Sequence, residues 1–225
     1  FSYEQAQQVI ETGEGDYAEE LQILHRISQK IRAKRFKKGA IAFEKEEVRF
    51  KLDEKGKPLG IVLKVRKDAH LLVEDFMLLA NETVAKFGSK LAKGKQPQAF
   101  VYRIHDKPDP AKLEQFSAVA ARFGYNIRFD DDTDIAATFN TILKKVEDRP
   151  EKHVIETLAI RSMAKAAYTT NNIGHYGLAM EFYTHFTSPI RRYPDVLVHR
   201  LLDKILTGSD EIIDKGDLEA RCKNS

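Results

Sequence analysis

Apolar spacing switches along these 225 residues from helical to alternating and back, and that switch confines the chain to a mixed architecture. Ser2 and Gln5 form a capping-box pattern that predicts a helix over about residues 3–11, broken by Gly13 and Gly15. Asp16 and Glu19 repeat the start signal. Leu21, Leu24, Ile27 and Ile31 then give one apolar face to about Phe36, with Gly39 as the stop. Period two takes over in three runs: Ile41 and Phe43; Val48, Phe50 and Leu52; Ile61, Leu63 and Val65. Glu54-Lys55-Gly56-Lys57 is the hairpin turn between the last two. Helical spacing returns at Asp68, with Leu72, Phe76, Leu79, Thr83 and Phe87 as the inner stripe to about Lys90.

Phe100 to Ile104 reads as a strand, and Pro110 opens a helix stopped by Gly124. Further helices are expected over about residues 135–146 and 151–168, and weak alternation predicts a strand over 175–184. Ser188-Pro189 signals a helix start, but Pro194 would break a helix running straight through. The expectation is a turn at 188–193, then a helix from Pro194 to about Thr207, closed by Gly208. With no repeat or flexible linker, this predicts one continuous α+β domain, an antiparallel β-sheet packed with long α-helices.

Hydrophobic residues make up 42% of the chain and charged residues 32%, a balance that fits a folded globular protein and not a disordered one. No apolar run approaches the roughly 18–20 residues that span a bilayer, which argues against a membrane helix. The opening Phe1-Ser2-Tyr3-Glu4 lacks the basic, then apolar start of a signal peptide. Cys222 is the single cysteine, so no disulfide can form within the chain and a reducing, cytoplasmic setting is expected. A net charge of +3 is too small to argue for nucleic acid by itself. Its distribution says more, because Lys30, Arg32, Lys34, Arg35, Lys37 and Lys38 crowd one stretch. That run is either an electrostatic footprint for phosphates or a solvated helix end favoured by the helix dipole.

The densest chemistry lies in His185-Phe186-Thr187-Ser188-Pro189-Ile190-Arg191-Arg192-Tyr193-Pro194-Asp195, followed by His199-Arg200. Hydroxyls and free backbone N–H groups at a helix start make an anion site, and arginine adds a fork of donors that matches phosphate oxygens. The plainer alternative is that Asp195 pairs with one arginine and stiffens the turn. Asp130-Asp131-Asp132-Thr133-Asp134 offers carboxylates suited to a hard cation, but it precedes a helix, where acids also favour the dipole. His175 and His185 lack an evident third ligand and read as hydrogen-bonded structural histidines. No metal site is expected within these residues.

The Thr187–Asp195 block, with His199-Arg200 after it, resembles the signature of the ribonuclease II/ribonuclease R family. Three more segments agree in order and spacing: Gly39-Ala40-Ile41-Ala42-Phe43, Val73-Glu74-Asp75-Phe76-Met77-Leu78-Leu79-Ala80-Asn81 and Arg103-Ile104-His105-Asp106-Lys107-Pro108. The likeness is closer to the ribonuclease R branch and covers essentially the whole chain. It implies a processive 3′→5′ exoribonuclease that hydrolyses single-stranded RNA to nucleoside 5′-monophosphates with Mg²⁺, the parent protein being a monomer.

Position by position, the resemblance implies that Arg191 is catalytic and stabilises the phosphate at the scissile bond. It makes Phe43 a clamp that stacks on the terminal bases, and Tyr3 a residue that seats the 3′ end. It sets Glu74 at the 3′-terminal ribose, with Thr187, Ser188 and Arg192 also on the substrate. Without the family, Phe43 would be sheet core, Tyr3 a helix staple and Glu74 a solvated carboxylate.

The family's metal-binding aspartates precede the position of Tyr3. The expectation is therefore the C-terminal portion of an RNB-type catalytic domain. The Mg²⁺ ligands, the cold-shock-type modules and the S1-type module would lie outside these residues, and the fragment would be inactive alone. A protein of this fold without those aspartates would bind RNA without cleaving it.

Overall fold

The computed structural model describes residues 1–43, 47–64, 66–91, 99–130, 133–208 and 214–225. The chain divides into two compact units, Phe1–Lys34 with Phe43–Phe76, and Arg35–Ala42 with Met77–Ser225. Two long helices cross that division, α2 (Ala18–Lys37) and α3 (Asp68–Leu91).

In the first unit, α1 (Tyr3–Thr12) forms where the capping box places it. The Gln5 N–H donates to Ser2 Oγ at 3.2 Å, and the Ser2 N–H donates to Gln5 Oε1 at 2.8 Å. Gly13 closes the helix at φ +74°, a left-handed conformation that glycine adopts without a Cβ penalty. Gln7 Oε1 accepts the Ala69 N–H at 2.9 Å, satisfying a donor in the first turn of α3.

The alternating residues form a hairpin, β1 (Glu47–Leu52) antiparallel to β2 (Pro58–Lys64), with Phe50 opposite Ile61. Asp53 Oδ1 accepts the Lys55 and Lys57 N–H groups and closes the turn. Phe50 and Ile61 remain 62% and 68% exposed. Ile41 and Phe43 are not in a strand as the alternation predicts. The Ile41 N–H instead donates to the Gly177 carbonyl, and the Ala42 N–H to Asn140 Oδ1. Val65, the end of the third run, lies outside the described residues.

In the second unit, β3 (Tyr102–Ile104) pairs antiparallel with β4 (Ala167–Thr169). Around them lie α4 (Pro110–Arg122), α5 (Ile135–Lys145), α6 (Lys152–Ser162), α7 (Tyr193–Leu206) and α8 (Lys215–Lys223). The helix expected over 151–168 ends early because residues after Ser162 turn extended and supply β4. The strand expected over 175–184 is absent. A short 3₁₀ turn, Tyr176–Leu178, and isolated bridges from His175 to His105 and Met180 occupy its first half. Phe100, Val101, Tyr102, Leu197, Val198 and Leu201 form one core cluster with Ala85, Leu218 and Cys222. Burial pushes the Cys222 thiol up to about 11, so it packs there as a neutral group.

Candidate functional site

Asp195, in the first turn of α7, is fully buried and holds the turn before it. Its Oδ1 accepts the Ser188 N–H at 2.7 Å and pairs with the Arg192 guanidinium at 2.8 Å. The Ser188 carbonyl accepts the Arg191 and Arg192 N–H groups, which tightens Ser188-Pro189-Ile190-Arg191 into one turn. Pro194 sits in the first turn of α7, where its missing N–H costs nothing. Three of the backbone N–H groups here, those of Ser188, Arg191 and Arg192, are therefore spent inside the turn, while no side chain caps the start of α7. What faces outward is Arg191, exposed, with no hydrogen bond or ion pair from its guanidinium among the described residues. The two adjacent arginines thus divide their work, Arg192 inward to Asp195 and Arg191 to solvent. Thr187 Oγ1 is buried beside them with no hydrogen-bond partner among the described residues.

Side chains behind the turn fix it to the core. Asn81 on α3 accepts the Phe186 N–H at 3.0 Å and donates to the Tyr183 hydroxyl at 3.2 Å. His199 on α7 stacks on Phe186 with ring centroids 4.1 Å apart and donates to its carbonyl. Tyr183 stands edge-on between His175 and His185, so the two histidines are held apart. His175 stacks instead on His105. The Tyr168 hydroxyl meets His185 Nδ1 at 2.6 Å.

Burial, followed by the Arg192 charge, pulls His185 down to about 4. Burial, followed by the charges of His105 and Arg103, holds His175 down to about 3. Both rings are neutral in the folded chain, whereas unfolded histidine titrates near 6.5. The unfolded state therefore takes up protons first as pH falls. Stability is complete above about 6.5 and declines toward the two depressed values. The urea midpoint should drop between pH 7.5 and pH 4.5, and His185→Gln should flatten that dependence. An unchanged midpoint in the unsubstituted chain would show that neither ring is held neutral.

Tyr3, Phe43 and Glu74 belong to the first unit. One face of the Tyr3 ring lies on His70, centroids 4.2 Å apart, and the residue is 46% exposed. Phe43 is half-buried. Glu74, half-exposed on α3, pairs with Arg66. The neighbouring Asp75 carries a role the sequence does not reveal. It is buried, accepts from Ser28 Oγ at 2.8 Å and pairs with Arg32 at 2.8 Å, which ties α2 to α3 within this unit. Arg32 is thereby removed from the basic run. Arg35 lies over Phe36, while Lys30, Lys34, Lys37 and Lys38 stay exposed.

Asp134 caps α5 by accepting the Ala137 N–H at 3.0 Å, and Asp130 bonds Thr133. Asp131 and Asp132 lie outside the described residues. Among the described residues no three His, Cys, Asp or Glu side chains group to hold a metal ion. Among them, too, no helix is long and apolar enough to cross a membrane.

Comparison with known proteins gives one consistent family. The RNB domain matches residues 1–208. Ribonuclease R of Ureaplasma parvum is 41% identical over 201 residues, 87% of this chain and 28% of that protein. Ribonuclease R of Aquifex aeolicus is 39% identical over 192 residues, 85% of this chain and 26% of that protein. The chain therefore spans about a quarter of the length of these curated relatives. Mycoplasma genitalium ribonuclease R, solved with ribose-methylated single-stranded RNA, superposes with a TM-score of 0.86 at 29% identity, over 100% of this chain and 35% of that one.

Proposed function

The chain belongs to the RNB-domain family, and on that premise we propose that it is the substrate-holding portion of a 3′→5′ exoribonuclease's catalytic domain. The activity is hydrolytic and processive and releases nucleoside 5′-monophosphates from single-stranded RNA. The carrying observation is Arg191, an exposed guanidinium with no partner among the described residues, displayed by a turn that Asp195 ties down at two points. Such a cation, fixed in advance, binds a non-bridging phosphate oxygen and gains most as charge builds on the phosphate during attack by water. The Ser188 hydroxyl lies on the same turn and steers the phosphate, with the buried Thr187 hydroxyl and the Arg192 charge behind it.

Tyr3, already stacked on one face by His70, offers its other face to the 3′-terminal base, and Phe43 clamps the bases with it. Stacking reads no sequence, as an enzyme that degrades any RNA requires. Glu74, steadied by Arg66, accepts hydrogen bonds from ribose hydroxyls and so favours RNA over DNA.

Asp75 and Asp195 are buried in ion pairs and Asp134 is a helix cap, and among the described residues no three carboxylate, histidine or cysteine side chains group to hold Mg²⁺. The aspartates for the metal belong to other residues of a longer protein, in which these 225 residues form the C-terminal portion of the RNB-type domain. That protein is a monomer of the reducing cytoplasm, the setting that a lone buried thiol suits.

The test uses 5′-labelled single-stranded RNA and that longer protein. The label should stay on a shrinking ladder that ends in a short oligonucleotide, and Phe43→Ala should change the length of that end product. Early release of the label as a mononucleotide would refute the direction. An unchanged end product would make Phe43 a packing residue only.

A further inference from the structure

Arg103, in the middle of β3, has no carboxylate partner and no side-chain hydrogen bond among the described residues, although it is only half-exposed. Its guanidinium lies 4.4 Å from the centroid of the Tyr168 ring, across the β3–β4 pair, where Arg103 is in register with Tyr168. Tyr168 is itself fixed by its 2.6 Å hydrogen bond to His185, two residues before Thr187. A charge half-removed from water without a counter-ion is costly, and stacking on an aromatic face offsets only part of that cost.

Among the described residues no carboxylate forms an ion pair with it. His105, His175 and His185 are all shifted down, with the Arg103 charge among the causes. Arg191 and Arg192 act on the same Tyr168–His185 pair, and the carboxylate of Asp195 is already shared by Arg192 and Ser188. Three guanidinium charges therefore act on one tyrosine–histidine pair, and the buried Asp195 carboxylate also acts on it.

We infer that Arg103, placed over the Tyr168 ring and oriented through the Tyr168–His185 hydrogen bond, is a second phosphate-binding residue that takes a backbone phosphate of the RNA adjacent to the one held by Arg191. The inference rests on the proposed function and extends it by one named contact. A planar guanidinium braced on a ring keeps its outer edge of N–H donors for a two-point contact with phosphate, which lysine at this position could not reproduce.

RNA affinity of the 225-residue chain, measured against salt with a labelled single-stranded oligonucleotide, tests it. Arg103→Gln should weaken binding about five- to tenfold at low salt and reduce the slope of log K against log[salt] by about 0.7, the loss of one neutralised phosphate. Arg103→Lys should keep the slope and lose about two- to threefold in affinity. Phenylglyoxal labelling of the unsubstituted chain reads the same contact without a mutation. Bound RNA should protect Arg103 while leaving the exposed Arg122 at the end of α4 as reactive as before. An unchanged salt slope in folded Arg103→Gln, or equal labelling of Arg103 with and without RNA, overturns the inference while leaving the proposed function standing. No RNA binding by the unsubstituted chain overturns both.

Discussion

Arg191→Ala in the longer protein should lower kcat about 10²- to 10³-fold while weakening RNA binding less than about tenfold, the range seen when one pre-positioned donor to a developing charge is removed. The asymmetry follows from the geometry. Arg191 is one phosphate contact among several along the RNA, so its loss removes a modest share of ground-state affinity. It is also the unpaired cation of the turn, so its loss removes stabilisation that grows in the transition state. Arg191→Lys should recover part of the rate, since it restores charge without the fork of donors. Single-turnover rates and equilibrium binding separate the two effects, and equal losses in both would reduce Arg191 to a binding residue.

Asp195→Ala should destabilise the chain by about 3 kcal/mol, because it strands a largely buried Arg192 and leaves the Ser188 N–H without its acceptor. Asp195→Asn should cost only about 1 kcal/mol. Its amide oxygen can replace Oδ1 toward Ser188 and Arg192, and the NH₂ would occupy the place of Oδ2, which has no partner among the described residues. Urea denaturation of the three proteins gives the comparison. A loss under about 0.5 kcal/mol for Asp195→Ala would show that the turn is held by other contacts, and the rigidity assigned to Arg191 would lose its cause.

Much of this was legible in the sequence wherever the signal is local. The Ser2–Gln5 box, the acidic run that ends at Asp134 and the Pro194 stop each depend on near neighbours, and each element starts close to where those residues place it. The turn at 188–193 was legible for the same reason. Of its two readings, the stiffened turn is what the structure shows, through Asp195 and Arg192, and Arg191 stays exposed beside it.

Long-range pairing was not legible. The stretch after Ser162 reads as helix on its own, and it becomes extended because Tyr102, Arg103 and Ile104 lie far back in the chain with edges to pair. Residues 175–184 fail as a strand for a related reason. Gly174 at φ +84° and the bridges of His175 to His105 and Met180 fold that segment back on itself. The partnership of Asp75 with Arg32 and Ser28, 43 and 47 residues apart, leaves no trace in spacing. Arg103 was visible only as part of a family-like segment, since nothing in the sequence tells that it lacks a counter-ion. In the hairpin, alternation finds the strands but does not say what covers Phe50 and Ile61.

The central claim is that these residues hold RNA at Arg191 while the metal-binding carboxylates lie elsewhere in the protein. One gel tests it most directly: the 225-residue chain with 5′-labelled single-stranded RNA and Mg²⁺, read for both shift and shortening. The account predicts a shifted band of intact RNA. A ladder of shortened products would contradict it by putting the metal ligands within this chain, and intact RNA with no shift at any protein concentration would contradict the RNA-holding role itself.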